Sequence, residues 1–511
     1  MSSQRHPILA LTAICLAALM FGLEISSVPI ILPVLEARLH ASFEELQWIM
    51  NAYTIACTTV LMATGTLADR YGRRRVFMLG VLAFGIASLL CGLATTTPAL
   101  VAARFVQGMA GGAMFICSIA ILSHRFPNGK ERAHAFAVWG VIAGVGLGFG
   151  PLFGGAIVAL ANWQWVFLVH APLALVSLVL IRVGISESSD PLARQQKLDV
   201  AGIVSLTIAV LAFTSLITQG EGLGWGSPMA LGLLAASVLG LGAFLTAERR
   251  HPHPMFDFAV FRIRDFSGAI LGCIGMNCSY WPFMIYLPLY FSAGLRWDAA
   301  TVGMALLVYT VPFLVMPPIA QWLLMRYEAR RVIPAGLFMI GAGFLLMKLG
   351  SGFTHVGGWT VLPGALVAGI GLGLTTTPVT NMVTSAVPAN RAGMASGMDV
   401  SARLITLAIN IALMGVILVS GIRSVIRASL PADFDAAQLR ALAEQIAAGD
   451  VKGAQHMLET AAAVDAAGLL HMALTQGFGW VMLYGGISAW LAAAGSVAVF
   501  GPVPERAYRS S

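Results

Sequence analysis

The sequence contains two charged residues that stand alone inside long apolar stretches, Glu24 and Arg104. A charge at the centre of a membrane helix costs at least about 2.5 to 3.5 kcal/mol on insertion scales, so Glu24 should face an internal cavity and have a function there. Burial favours the protonated carboxyl and a nearby cation favours the carboxylate, so this side chain could bind and release a proton as its surroundings alternate. The alternative is a fixed structural ion pair.

Arg104 is the candidate partner for that carboxylate. At a rise of about 1.5 Å per residue, both residues fall in the outer half or the centre of the bilayer, so their helices could bring the two charges together. We expect Arg104 to stabilise the Glu24 carboxylate in one conformation and to move away in another, while Gln107 orients the arginine. A static pair that holds the two helices together is the alternative.

The elements that must position these charges are membrane helices. Apolar residues form 58% of the chain, charged residues form only 10%, and the mean hydropathy is +0.83. Soluble proteins contain about 25% charged residues. Apolar runs of roughly 20 residues, each long enough to cross a hydrocarbon core of about 30 Å, recur along the chain. The sequence therefore predicts an all-α polytopic membrane protein with no soluble domain between its helices.

Apolar windows between charged or turn-rich breaks predict fourteen membrane spans. They cover residues 8–34, 47–68, 76–95, 98–122, 134–160, 165–186, 199–219, 228–247, 266–292, 300–324, 332–350, 357–384, 394–420 and 474–500. With the N-terminus in the cytoplasm, 21 of the 30 Lys and Arg residues fall in loops on the cytoplasmic side. Positively charged loops mark that side, so both termini are predicted to be cytoplasmic. The protein is expected to lie in the inner membrane of a bacterium. Because the basic residues follow these loops, the net charge of +7 indicates no nucleic-acid partner.

An internal repeat predicts two halves. The sequence Arg70-Tyr71-Gly72-Arg73-Arg74-Arg75-Val76 after span 2 is echoed by Arg326-Tyr327-Glu328-Ala329-Arg330-Arg331-Val332 after span 10. This register fits a six-helix bundle at 1–186, two inserted helices at 187–248 and a second six-helix bundle at 249–511, a design typical of secondary transporters. The last unit includes a long outer loop at 421–473. That loop is predicted to form an amphipathic helical hairpin, either as a solvated cap or as a docking surface for a partner.

Three motifs occur in the order and in the helices expected for a known family. The loop from Gly65 to Arg74 reads G-T-L-A-D-R-Y-G-R-R, residues 104–108 read R-F-V-Q-G, and span 5 contains Gly146, Gly150, Pro151, Gly154 and Gly155. These match the patterns G-x-L-A-D-R/K-x-G-R/K-R/K, R-x-x-Q-G and G-x-x-x-G-P-x-x-G-G. The chain resembles the major facilitator superfamily, and within it the fourteen-helix drug:proton antiporters, over nearly its whole length. The resemblance implies a major facilitator fold of two six-helix bundles plus two inserted helices.

The loop motif implies a conformational latch formed by Gly65, Asp69, Arg70, Gly72, Arg73 and Arg74. Asp69 can pair with arginines of its own loop or accept a hydrogen bond from a neighbouring helix N-terminus, and Gly72 permits a sharp turn. The glycines of span 5 allow close helix contact, while Pro151 removes a backbone donor and can kink the span. A purely topogenic basic loop and a packing seam without a gating role are the alternatives.

Two stretches depart from the family pattern. Span 1 reads L-E-I-S-S-V-P-I-I-L-P from Leu23 to Pro33, where the family usually has L-D-x-T-x-x-N-x-A-L-P. The segment from Trp163 to His170 resembles W-R-W-I-F-x-x-N, but its arginine and asparagine are replaced. We expect His170 to form hydrogen bonds at the membrane interface, with a role as a proton relay as the alternative. Asp399 and Arg403 have the spacing of an intrahelical pair on span 13.

A set of polar and aromatic residues is predicted to contact the substrate: Gln107, Asn277, Tyr280, Trp281, Tyr286, Tyr309, Thr406 and Asn410. Aromatic faces beside a membrane carboxylate can hold a lipophilic cation through cation–π contacts. Packing, or an aromatic belt at the membrane interface, is the alternative for the aromatic members.

No P-loop, H-E-x-x-H or G-x-S-x-G motif occurs, so the sequence predicts no enzyme, no metal site and no cofactor, and energy must come from an ion gradient. The resemblance implies a proton-coupled antiporter that exports amphipathic or lipophilic, cationic small molecules or drugs by alternating access and confers antibiotic resistance. Export of a lipid, a fatty acid or an endogenous metabolite is the nearest alternative, and a non-transporting membrane receptor is a more distant one. The expected partners are a small-molecule substrate, protons and the lipid bilayer, and a periplasmic adaptor protein is an optional further partner. The protein itself is expected to be a monomer.

Overall fold

The computed structural model describes residues 7–39, 41, 43–127, 129–189, 199–251, 258–297, 299–352, 358–388, 392–430, 435–448, 451–461 and 466–501. The first part of the chain forms α1 Pro7–Leu39, α2 Phe43–Tyr71, α3 Arg73–Gly92, α4 Thr97–Arg125, α5 Gly129–Leu160, α6 Gln164–Leu168, α7 His170–Gly184, α8 Val200–Leu223 and α9 Pro228–Arg250. The second part forms α10 Arg264–Cys278, α11 Tyr280–Leu289, α12 Ala299–Tyr327, α13 Ala329–Gly350, α14 Gly358–Ser385, α15 Ala392–Ser429, α16 Ala436–Ala448, α17 Val451–Ala461 and α18 Ala466–Phe500. Both chain termini, predicted to be cytoplasmic, lie outside the described residues.

Most of these helices are long and apolar enough to cross a membrane. Within the described ranges, twelve helical spans meet that criterion, and the two bent segments of α5 form a thirteenth. The remaining predicted span lies in α2, whose apolar stretch is limited to Trp48–Leu61. The all-α polytopic class is confirmed, and the helix count agrees with the predicted fourteen apart from the short apolar stretch of α2. The protein is a multi-pass membrane protein.

Two predicted spans are broken rather than continuous. Span 9 divides at Ser279, whose backbone has φ −127° and ψ −77°, and span 6 divides at Val169. In both cases a proline follows three residues later, Pro282 and Pro172. A proline ring clashes with the carbonyl four residues earlier and supplies no N–H, which is where α10 and α6 end. Each stretch still forms a single membrane span, Arg264–Gly294 and Gln164–Gly184, so the spans predicted at 266–292 and 165–186 are confirmed, each with a local interruption of its helix.

The helices pack as two bundles with the α8–α9 pair between them in the sequence. In the first, α1 packs along α5 and α7, and α4 packs along α2 and α3. In the second, α14 lies between α12 and α13, and α18 packs along α10, α13 and α15. The bundles meet through α5 with α12 and through α2 with α15, while α8 contacts both α2 and α15. This arrangement agrees with the predicted two-half design; the unit boundaries at 186 and 248 stay predictions.

The Arg132 side chain hydrogen-bonds directly across the two halves near the start of α5. Arg132 donates through Nη2 to Thr384 Oγ1 at 2.9 Å and through Nε to Asn381 Oδ1 at 3.4 Å, and both acceptors lie on α14. The same guanidinium donates to Ser123 Oγ at 3.1 Å and lies 4.6 Å from the Phe136 ring centroid. Arg132 therefore holds the halves together at the membrane side predicted to be cytoplasmic.

The outer loop predicted at 421–473 is shorter than expected, because α15 continues to Ser429 and α18 begins at Ala466. Between them α16 and α17 form the two helices of the predicted hairpin. Their apolar residues Leu442, Ile446 and Leu458 are buried and belong to the core of the second half. The hairpin is thus packed onto α15 and α18 rather than standing free in solvent.

Candidate functional site

The two isolated charges of the sequence meet inside the first half. The Arg104 Nη1 atom forms an ion pair with Glu24 Oε1, and the side chains are 1% and 0% exposed. The predicted contact between spans 1 and 4 is confirmed. The expectation that Glu24 faces a cavity is wrong for this conformation: the carboxylate is fully buried, and the arginine compensates its charge.

Arg104 is held by further hydrogen bonds from neighbouring helices. Its Nε donates to the Ile49 carbonyl of α2 at 3.0 Å, and its Nη1 donates to Gln107 Oε1 at 2.9 Å. Gln107 Nε2 in turn donates to Ser88 Oγ at 2.9 Å, and the Tyr53 ring centroid lies 4.4 Å from the guanidinium carbon. Gln107 therefore orients Arg104 as predicted. Its predicted contact with substrate requires these hydrogen bonds to open and stays a prediction.

His170 is a third member of this cluster. Its Nδ1 lies 3.4 Å from Glu24 Oε2, and its side chain is fully buried against the Phe84 ring, with centroids 5.6 Å apart. The expected position at the membrane interface is wrong, because His170, the first residue of α7, has its imidazole buried inside the first half. A signal was present in the sequence: His170 lies about as far from the outer end of its predicted span as Arg104 does from the end of span 4.

The basic loop between α2 and α3 forms the predicted pair. Arg73 contacts Asp69 Oδ1 at 2.7 Å, one helical turn apart. Gly72 has φ +112°, a conformation that L-residues with a side chain rarely adopt, and it lets α3 begin directly after α2. Glu187, which no motif singled out, accepts from the Arg74 backbone N at 3.0 Å and therefore ties the loop to the chain after α7.

The other members of the predicted latch lie beside these contacts. Gly65 is buried in α2, the Arg70 guanidinium lies 5.5 Å from the Tyr71 ring centroid, and the Arg74 side chain donates to the Arg182 carbonyl at 3.0 Å. The loop is therefore fastened within the first half. Its role as a latch between conformations stays a prediction.

The glycines of α5 form a seam with α1. A methyl group on Gly146 would lie 2.8 Å from the Leu19 carbonyl oxygen, and one on Gly154 would lie 3.0 Å from the Ser27 side chain. Gly150 faces Ser26, whose hydroxyl donates to the Gly146 carbonyl at 2.9 Å. The helix also bends by 52° between His134–Gly150 and Leu152–Leu160, as the proline at position 151 predicts. Gly155 faces open space: no described atom lies within 4 Å of its Cβ position.

The predicted aromatic contacts on span 9 are mostly engaged in packing. Tyr280 and Tyr309 stack with centroids 4.0 Å apart, and each hydroxyl donates to the other residue's carbonyl, at 2.7 and 3.0 Å. Tyr286 donates to the Ile411 carbonyl at 2.7 Å. Trp281 is half-buried and packs with the cores of both halves, including an edge-to-face contact with Phe313 at 5.7 Å. Of the aromatic members, Trp281 has the position that best suits a substrate contact.

The polar members of the second half hydrogen-bond to neighbouring protein groups. Asn410 accepts from the Tyr484 hydroxyl and donates to the Thr406 carbonyl at 2.7 Å, and Asn277 donates to the Cys273 carbonyl at 2.8 Å. Tyr484 was not among the predicted residues, because its helix shares no motif with span 13.

A second buried ion pair lies on α15. Arg403 contacts Asp399 Oδ1 at 3.1 Å, as the spacing predicts, and the Thr380 hydroxyl donates to Asp399 Oδ2 at 3.2 Å. Each half thus contains a compensated pair of opposite charges inside the bundle.

Two helical bundles that meet along α5 and α12, with buried charge pairs at membrane depth, define a polytopic membrane transporter rather than an enzyme. The family model described as Major Facilitator Superfamily matches residues 14–261 and 266–432. The chain belongs to the major facilitator superfamily.

Relatives and solved structures agree with this assignment. The multidrug resistance protein Stp of Mycobacterium tuberculosis is 31% identical over 86% of this chain and 82% of its own length. The tetracenomycin C resistance and export protein of Streptomyces glaucescens is 29% identical over 81% of this chain and 76% of its own length. The proton:xylose symporter XylE, solved with 6-bromo-6-deoxy-D-glucose, has a TM-score of 0.59 at 15% identity, covering 95% of this chain and 94% of that one. At that identity the similarity shows the fold alone.

Proposed function

We propose that this protein is a proton-coupled antiporter that exports amphipathic, cationic small molecules or drugs across the inner membrane of a bacterium. The buried ion pair of Glu24 and Arg104 carries the proposal, because a carboxylate held in a dry interior by one cation can exchange that cation for a proton. The relatives named for drug resistance and export support the direction of transport and the substrate class.

In the proposed cycle a proton binds Glu24 and neutralises it. The neutral carboxyl no longer compensates Arg104, so the arginine turns to other acceptors and the contact between α1 and α4 loosens. Arg104 also donates to α2, and α1 packs along α5, so the change reaches two of the helices that touch the second half. The halves then rock, and loss of the proton on the other side of the membrane restores the pair.

We expect the substrate to bind between the halves, with Trp281 as the first candidate for a contact. Its indole packs with both cores, so its contacts change when the halves move. Its π face could bind a lipophilic cation. The other predicted substrate contacts, the monomeric state and the docking of a periplasmic adaptor on α16 and α17 stay predictions.

The decisive experiment replaces Glu24 by its neutral isostere. Inside-out membrane vesicles containing the wild-type protein should accumulate ethidium when a proton gradient is applied, and Glu24→Gln should lose at least about 90% of this accumulation, because no proton can be carried. Glu36→Gln is the matched control, since Glu36 is an exposed carboxylate near the outer end of the same helix. It should transport like the wild type.

Growth assays on ethidium, tetracenomycin C and a medium-chain fatty acid separate the alternatives. Protection against the first two that is lost in Glu24→Gln supports the proposal. Protection against the fatty acid alone would favour lipid export. Equal protection by Glu24→Gln and the wild type would show that this carboxylate is not the proton carrier.

A further inference from the structure

The Glu24 carboxylate uses only one of its two oxygens in the ion pair with Arg104. The second oxygen, Oε2, is buried, forms no hydrogen bond with any described residue and points to His170 Nδ1 at 3.4 Å. A buried carboxylate oxygen without a donor is unfavourable, so the position needs an explanation. The imidazole of His170 lies beside this oxygen and could donate to it, or accept from it once it is protonated.

The surroundings of His170 determine which of its nitrogens carries hydrogen in the neutral form. Nδ1 lies 3.3 Å from the Phe167 carbonyl oxygen, which only accepts, so Nδ1 is the protonated nitrogen. Nε2 then presents a lone pair, and this atom is buried without a hydrogen-bond partner among the described residues. The ring therefore has a free proton acceptor on one edge and an N–H beside the carboxylate on the other.

We propose that His170 is a proton relay for Glu24. When one side of the membrane has access to the ring, a hydronium ion transfers a proton to Nε2 and leaves as water, Nδ1 passes its own proton to Glu24 Oε2, and the ring is left neutral with its hydrogen on Nε2. One proton enters the ring and one leaves, and no other bond changes. The new hydrogen on Oε2 neutralises the carboxylate and so weakens its hold on Arg104. The proposal rests on the proposed function of Glu24 as the proton carrier.

The chemistry around the ring is compatible with this step. The titratable or charged groups that face the cluster, within the described residues, are Glu24 on α1, Tyr53 on α2, Cys91 on α3 and Arg104 on α4. Tyr53 Oη is also buried without a hydrogen-bond partner there. A neutral imidazole carries an N–H donor and an acceptor nitrogen on opposite edges of one ring, so His170 can take a proton on one edge and release one on the other.

Infrared titration of the purified protein tests the relay without a substrate. The difference between the wild type and Glu24→Gln isolates the carboxyl band of Glu24. In the wild type this band should change in two steps with pH, because two interacting sites titrate together. In His170→Asn, which places the family's residue at this position, the second step should be lost. His134→Asn, an exposed histidine on α5, is the matched control and should keep both steps.

The outcomes separate the relay from the underlying function. A carboxyl band that never changes with pH would overturn the role of Glu24 itself. A band that changes in one step in the wild type, or identically in His170→Asn, would overturn the relay and leave Glu24 as the carrier. His170→Gln serves as a second variant if His170→Asn unfolds. If neither variant folds, the same infrared titration is run on wild-type protein labelled with 15N-histidine, which identifies the imidazole bands. A Glu24 carboxyl band that changes without any change of the imidazole bands in the same pH interval would overturn the relay.

Discussion

At the scale of single residues, Arg104 links several helices of the first half. Its guanidinium connects α1, α2 and the following turn of α4 through Glu24, Ile49 and Gln107. Such a buried cation is stabilising only while its acceptors stay in place, and removal of either charge leaves the other uncompensated in a low-dielectric interior. The pair therefore links the proposed transport step to the stability of the fold.

Arg104→Ala should lower the free energy of unfolding by about 3 to 5 kcal/mol, because the Glu24 carboxylate would be buried without its cation. Denaturation of the detergent-purified protein measures the change. The double variant Glu24→Gln, Arg104→Met removes both charges and should recover most of the loss. Arg38→Ala, at an exposed arginine of α1, is the control. An Arg104→Ala protein as stable as the wild type would show that the pair contributes nothing to the fold.

The pairing of Glu24 with Arg104 was predictable because each charge was isolated in an apolar span at a similar depth. An ion pair between them avoids the cost of two uncompensated charges in the membrane. His170 was expected at the membrane interface rather than beside Glu24, because its depth in span 6 was not compared with that of the two charged residues. The stacking of Tyr280 on Tyr309 could not be predicted, since it depends on how two separate helices are rotated about their axes. That rotation is decided by packing of the whole second half.

At the scale of elements, α5 is in contact with both halves. Its glycines pack against α1 on one face, and Gly144 and Gly148 pack against Phe313 and Thr310 of α12 on another. Motion of α1 can therefore reach the second half through this bent helix. The sequence predicted this helix and its kink from Pro151, whereas the breaks in spans 6 and 9 were missed because hydropathy windows do not register a proline inside an apolar run.

Gly146→Ala should destabilise the protein by about 1 to 3 kcal/mol through overpacking, because the added methyl group meets the Leu19 carbonyl at 2.8 Å. Driven transport should fall with it, since the two backbones must separate. Gly155→Ala is the matched control in the same helix, because its methyl group enters open space. The unfolding temperature of each variant measures the effect; equal values for the two would contradict the assignment of the seam.

At the scale of the whole molecule, the halves are closed against each other where Arg132 reaches α14. Burial lowers the pKa of the Arg132 guanidinium below its usual 12.5, yet an arginine stays charged near neutral pH. Its hydrogen bonds to Asn381 and Thr384 must break before this side of the transporter opens. They are therefore part of the energy difference between the two orientations of the halves.

Thr384→Val should shift this equilibrium towards the open state by about tenfold or more, because a hydrogen bond to a charged group contributes about 1.5 to 3 kcal/mol. Spin labels at exposed positions His124 and Ser385, one in each half, report the separation by electron resonance distance measurements. Thr246→Val, at an exposed threonine of α9, is the control. An unchanged distance distribution in Thr384→Val would show that Arg132 does not hold the halves together.

The hairpin of α16 and α17 has a practical consequence for imaging this molecule. A membrane protein without a soluble domain offers little mass outside the detergent micelle by which single particles can be aligned. Because the hairpin is anchored by buried residues such as Leu442 and Leu458, an antibody fragment bound to it would be carried rigidly by α15 and α18. Electron cryomicroscopy with such a fiducial would record the rotation of one bundle directly, while the other bundle stays unmodified.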